Sequence, residues 1–149
     1  MKALIAYASM TGNTEEACDV MAEALEDLGV EVDMDSSLNL FGEDFLDVDI
    51  CVVGTYTYGS ELPDDVVDLY EDLEDLDLTG KVFISLGSGD HDYPDYCQSV
   101  DDFYDQFLQT GAQAAYPAIK IEIDCNAEDI ETIEAGAQAA VNLVKQKPH

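Results

Sequence analysis

Arginine and tryptophan are absent from this chain, and five lysines are its only permanently basic side chains. Against them stand 34 aspartates and glutamates, for a formal net charge of −29 at pH 7. A surface that negative repels nucleic acid and anionic membranes, which excludes both as partners, and it attracts basic proteins. Solubility or adaptation to high salt accounts for the same composition, and both explanations stand together. The four cysteines, Cys18, Cys51, Cys97 and Cys125, form no C-x-x-C pair and have no histidine spacing suited to zinc, so no metal site is expected. They read as free thiols in a reducing cytosol, with Cys18, Cys51 and Cys125 serving as small buried apolar groups. No apolar stretch is long enough to cross a bilayer, and no signal-peptide pattern follows the lysine at position 2. The expectation is a soluble, cytoplasmic, monomeric protein.

What is present is an alternation of strand and helix signals along 149 residues, 47% of them hydrophobic. Lys2–Tyr7 reads as a continuous apolar strand of the kind buried on both faces of a parallel sheet. From about Glu15 a helix follows, with Ala17, Met21, Ala24, Leu25 and Leu28 inward and Gly29 as its stop. Val30–Met34 makes a short second strand, and an acidic connection runs from Asp35 to Asp49. Ile50–Gly54 is the third strand, and Pro63 then opens a helix with Val66, Val67, Leu69, Tyr70, Leu73 and Leu76 on one side. Lys81–Leu86 is the fourth strand. A third helix is expected with Ser99 as cap and Val100, Phe103, Tyr104, Phe107 and Leu108 as its core face. Tyr116–Ile123 is the fifth strand, and Asn126 caps a last helix that turns Ile130, Ile133, Ala137, Val141 and Val144 inward. The alternation specifies one α/β domain over residues 1–149, a parallel sheet covered on both faces, with ligands outside the carboxyl ends of the strands.

Three segments leave those ends and carry glycine, hydroxyl or aromatic residues: 9–14, 55–60 and 87–97. They should meet in space. The first, Ser9-Met10-Thr11-Gly12-Asn13-Thr14, joins a strand to a helix and so presents backbone N–H groups and a helix dipole to one point, where an oxyanion fits. It lacks the lysine of a nucleotide-triphosphate loop and is not G-x-G-x-x-G, which favours a single monophosphate held by neutral donors. Taken alone, Ser9, Thr11 and Asn13 serve equally well as helix caps. Tyr56, Tyr58 and Tyr93 lie away from the helical core stripes, in turns where planar rings suit a flat ring system. Gly59 and Gly87-Ser88-Gly89 offer backbone that approaches a heterocycle edge-on.

Thr11-Gly12-Asn13-Thr14 after the first strand, Thr57-Tyr58-Gly59 after the third and Gly87-Ser88-Gly89-Asp90 with Tyr93, Tyr96 and Cys97 after the fourth resemble the three FMN-binding loops of flavodoxins. The likeness runs along the whole chain, and its length is that of the short-chain members. It implies a flavodoxin-like three-layer sandwich, a five-stranded parallel sheet in order 2-1-3-4-5, and one non-covalent FMN. By that resemblance Ser9 to Thr14 bind the phosphate, Tyr58 is the inner-face aromatic and Tyr93 the outer one. Asp90 and Cys97 fall where the loop meets the pyrimidine edge. The Gly59–Ser60 peptide is the one that turns over to accept a hydrogen bond from the reduced flavin. Thr55 and Tyr56 lie at the rim of the same loop. The implied function is that of a low-potential one-electron carrier, moving mainly between semiquinone and hydroquinone, with no side chain needed as acid or base.

An acidic face would then dock basic reductases and electron acceptors through salt-sensitive contacts. His91 is the one cationisable group within these loops, either a solvated neighbour of Asp90 and Asp92 or a proton-dependent influence on the flavin. A response-regulator receiver shares the fold but needs an aspartate where this chain has Gly54-Thr55. An FMN-bearing activator of ribonucleotide reductase is the nearest alternative, and an NAD(P)H:quinone reductase a more distant one, disfavoured by the lack of arginine.

Overall fold

A computed structural model describes residues 1–9, 12–57, 62–89, 97–122 and 125–146. In chain order the elements are β1 (Lys2–Tyr7), α1 (Asn13–Asp27), β2 (Glu31–Ser36), β3 (Ile50–Tyr56), α2 (Asp64–Leu73), β4 (Val82–Gly89), α3 (Gln98–Gln109), β5 (Gln113–Ala114), β6 (Ile119–Glu122) and α4 (Ala127–Gln146). Two 3₁₀ turns, Ser37–Asn39 and Gly42–Asp47, occupy the acidic connection between β2 and β3. Every strand pair is parallel, in the order β2-β1-β3-β4-β5, with β6 also on β4. The expected α/β sheet and its order are therefore borne out.

The apolar strands divide their side chains between two cores. Ala3 and Ile5 of β1, Ile50 and Val52 of β3, and Val82, Ile84 and Leu86 of β4 join α1 and α4 in one cluster. Leu4, Ala6, Cys51, Val53 and Phe83 join α2, α3 and Phe45 in the other. A strand whose successive side chains are both buried holds few polar residues on either face, which is why β1, β3 and β4 read as largely apolar runs, and Ser85, buried within β4, is satisfied by donating its Oγ–H to Val100 O at 2.7 Å.

Several boundaries move. β3 continues through Thr55 and Tyr56, and β4 through Gly87, Ser88 and Gly89, because the ladder pairs Thr55 with Gly87 and Tyr56 with Ser88. These five residues were expected in loops. β2 spans Glu31–Ser36 rather than Val30–Met34, following its register along β1 from Lys2↔Glu31 to Tyr7↔Ser36. The fifth strand is two short pieces. β5 pairs with Val82 and Phe83, and β6 with Leu86 to Gly89. Pro117 lies in the gap, and a residue without an N–H cannot continue a ladder. Ser99 is not the cap of α3: Cys97 takes that position, and Ser99 is buried in the first turn. Leu108 and Ile130, assigned to core faces, are 46% and 37% exposed. Gln106 lies inside instead, its Nε2 donating to Tyr70 O at 3.0 Å.

Candidate functional site

The C-terminal edge of the sheet gathers the ends of β1, β3 and β4 and the starts of α1 and α3. Just beyond β1, the Ala8 N–H donates to Gly54 O at 2.9 Å, keeping the chain on β3 as it leaves the sheet. The turn into α1 is closed by the Gly12 N–H donating to Ser9 Oγ at 2.9 Å. Gly12 takes φ +91°, in the left-handed region, and its missing Cβ faces open space with nothing within 4 Å. It caps α1 without a side-chain hydrogen bond. The amides of Asn13, Thr14 and Glu15 lie in the first helical turn, where no carbonyl of the helix is placed to receive them. An open, glycine-fronted turn at an uncapped helix start fits an oxyanion held by backbone donors.

Thr14 faces inward. It is 1% exposed, and its Oγ1 shares a hydrogen bond with Ser88 Oγ at 2.7 Å and donates to Thr55 O at 3.4 Å. One hydroxyl thus ties α1 to the ends of both β3 and β4. Beneath it, a Cβ on Gly54 would overlap Cys18 Sγ, so glycine is what lets α1 settle on β3 here.

Thr57 supplies the second tie. Its N–H donates to Ser88 O at 3.2 Å. Its Oγ1 accepts from the Ser99 N–H at 3.1 Å and shares a 2.7 Å hydrogen bond with Ser99 Oγ, which donates to Tyr56 O at 2.7 Å. The start of α3 is thereby fastened to the segment that leaves β3. Cys97, fully buried at the head of α3, adopts φ 51° and ψ 31°. A non-glycine residue in that region costs about 1–2 kcal/mol, so the packing around it sets the angle at which the chain enters α3.

The charge around the site is negative. Burial, then Asp65 and Asp64, raises the Tyr56 pKa above its ordinary value. Tyr7 is raised by burial and by Glu15, Asp35 and Asp19. Lys120, on β6 opposite Gly87, is held by Asp101 at 2.7 Å. Among the described residues no group of His, Cys, Asp and Glu is arranged to hold a metal ion.

Of the residues expected to form the site, the structure brings together Ser9, Gly12, Asn13 and Thr14 with Thr55, Tyr56, Thr57, Gly87, Ser88, Gly89 and Cys97. Met10, Thr11, Tyr58, Gly59, Ser60, Asp90, Tyr93 and Tyr96, with His91, lie outside the described residues. Sequence reasoning missed Ser99. Its small hydroxyl stands between Gln98 and Val100 at the start of a helix, which signals a cap, and only the fold shows that it reaches across to Thr57.

A family model described as Flavodoxin matches residues 5–136. Probable flavodoxin 2 of Bacillus subtilis is 36% identical over 134 residues, covering 89% of each chain. The flavodoxin of Maridesulfovibrio salexigens is 36% identical over 142 residues, covering 91% of this chain and 95% of its own. Among solved structures, the flavodoxin of Streptococcus pneumoniae TIGR4 superposes with a TM-score of 0.94 at 46% identity, covering 97% of this chain and all of its own.

Proposed function

The chain belongs to the flavodoxin family, and on that premise we propose that it is a low-potential electron carrier for basic redox partner enzymes, moving mainly between the semiquinone and hydroquinone of non-covalently bound FMN. The cofactor supplies the one-electron chemistry, and the protein supplies binding, orientation and electrostatics.

Ser9 to Thr14 hold the phosphate. The first-turn amides of α1 and the dipole behind them meet it, Ser9 keeps the turn closed, and Gly12 lets the backbone approach. Thr14 contributes its amide while its hydroxyl keeps the turn in register with Ser88. The segments 55–60 and 87–97 hold the ring system, with Tyr58 and Tyr93 on its two faces. Thr55, Tyr56 and Thr57 direct the first segment outward from β3, and Gly59–Ser60 meets the edge that gains a proton on reduction. Gly87, Ser88, Gly89 and Asp90, with Tyr96 and Cys97, line the pyrimidine edge. No side chain acts as a general acid or base, so the protein is a carrier rather than an enzyme.

The observation that carries this reading is the hydrogen bonding of Thr14 Oγ1 with both Ser88 Oγ and Thr55 O, which joins the three segments at one edge of the sheet. The test is the visible spectrum of the purified protein during stepwise reduction. Yellow protein that passes through a blue one-electron-reduced form before bleaching is the expected result. Colourless protein that takes up no added FMN overturns the proposal.

A further inference from the structure

The connection between β2 and β3 carries a surface that the cofactor site does not use. Residues 37–47 run down α2 as a strap fastened at its start and its middle. Ser37 Oγ donates to Asp65 O at 2.7 Å, and the Gly42 N–H donates to Asp72 Oδ2 at 3.0 Å. A Cβ on Gly42 would lie 2.7 Å from Asp72 Cβ, so the strap lies directly against the helix. Phe45 is fully buried beneath it, in edge-on contact with Phe107 at 5.6 Å between ring centres.

On this fastened segment Leu38 is 70%, Phe41 67% and Leu46 46% exposed. Of the six large apolar side chains exposed among the described residues, these three fall within nine consecutive positions. The strap is ordered by 3₁₀ turns and by the Phe41 N–H donating to Asp44 Oδ2 at 2.9 Å, so its outward apolar side chains are displayed by a rigid backbone. Exposed Asp35, Glu43 and Asp47 flank them along the chain, and exposed Asp68 and Glu71 lie on the helix alongside. An apolar centre within a charged rim is the anatomy of a protein-docking surface.

The rim decides the occupant. A second copy of this chain would set acid against acid around the contact, in a molecule of net charge −29. We propose that Leu38, Phe41 and Leu46 form the apolar centre of a docking surface for a basic protein that presents its own apolar contact within a ring of lysine or arginine. Ser37 is fastened to the first turn of α2, just after the segment assigned to the flavin, so the Leu38 end of this surface lies beside that segment. The identification of that partner as a redox protein rests on the electron-carrier reading. The binding surface itself does not.

Oxidised cytochrome c, whose apolar haem edge is ringed by lysines, serves as the probe, and binding is read by backbone amide shifts and calorimetry without electron transfer. The wild type is expected to bind at low ionic strength with shifts at residues 37–47. L38Q/F41Q is expected to weaken binding at least tenfold while leaving the salt dependence unchanged, because no charge is altered. Leu108→Gln, at an exposed leucine on α3, should bind as the wild type does. Unweakened binding by L38Q/F41Q, no binding by the wild type, or a self-association that L38Q/F41Q abolishes would each overturn the proposal. FMN uptake, measured separately by absorbance, reports on the electron-carrier reading alone.

Discussion

Cys18 and Cys51 lie on opposite faces of the sheet, and both thiols are fully buried. Burial raises the Cys18 pKa, with Asp19 and Glu15 adding to it. Burial pushes Cys51 up to about 12, with Lys81 opposing and Asp49 adding. Each thiol is therefore neutral in the folded protein at a pH where the unfolded chain would ionise it near 9.0. The stability tied to these groups is fully present below about pH 9 and is lost as pH rises toward the folded pKa. Each contributes a slope of about 1.4 kcal/mol per pH unit. Urea unfolding between pH 8 and 10 should show a falling midpoint above pH 9, and a shallower fall in Cys51→Ala than in the wild type.

Steric fit at Gly87 acts at the same scale. A Cβ there would overlap Thr55 O and lie 2.7 Å from Val100 Cγ2. Backbone cannot yield as a flexible side chain does, so Gly87→Ala should cost about 1–3 kcal/mol in urea unfolding. Because the displaced atoms belong to the end of β3 and the start of α3, FMN titration should show weaker binding as well.

Two helices begin in opposite ways, and the difference has a use. α4 starts with a reciprocal box. Asn126 Oδ1 accepts from the Asp129 N–H at 2.9 Å, and Asp129 Oδ2 accepts from the Asn126 N–H at 3.0 Å. α1 starts at Gly12 with no such partner. The start of α4 is self-satisfied, while on the proposed reading the start of α1 leaves its donors for the phosphate. Asn126→Ala should therefore lower stability by about 1 kcal/mol in urea unfolding and leave FMN affinity unchanged. Gly12→Ala should lower both, since an L-residue at φ +91° is strained by about 1–2 kcal/mol and its Cβ enters the space before the helix. Asn126 as a cap was legible, because a carboxamide stands three residues before an acid at the head of an apolar-periodic run. The strand ends were less so. Gly87-Ser88-Gly89 carries turn-forming residue types, and cross-strand hydrogen bonds hold it in the sheet against that local preference, whereas Thr55-Tyr56, themselves strand formers, simply extend β3.

Over the whole molecule the charge is the governing quantity. With 34 acidic and five basic side chains, the folded chain repels itself more than an expanded one does. Screening shortens from about 10 Å at 0.1 M salt to about 3 Å at 1 M. The urea midpoint should therefore rise over that range, and a midpoint that stays level or falls would show that the acids are already compensated in the fold. The same field acts on the cofactor. One acid ~10 Å away through a water-like dielectric contributes only about 0.4 kcal/mol, but several act in one direction, and ~1.4 kcal/mol corresponds to about 59 mV for one electron. The second reduction potential should accordingly lie below that of free FMN in a redox titration.

By itself the sequence determined the sheet, its two-sided burial, a strand–turn–helix junction beyond β1 of the kind an oxyanion fits, and the sign of the charge. Each of these is a local or summed property: largely apolar runs, a glycine between hydroxyls at a helix start, a count of acids. The tertiary structure alone decided how the three segments are fastened. Thr14 and Ser88 are 74 residues apart, and Thr57 and Ser99 are 42. No periodicity connects residues so distant, and their hydroxyls meet only because parallel strands bring every carboxyl end to one edge. Likewise, nothing in the acidic connection Asp35–Asp49 assigned a side to its apolar residues, and only the fold exposes Leu38, Phe41 and Leu46 while burying Phe45.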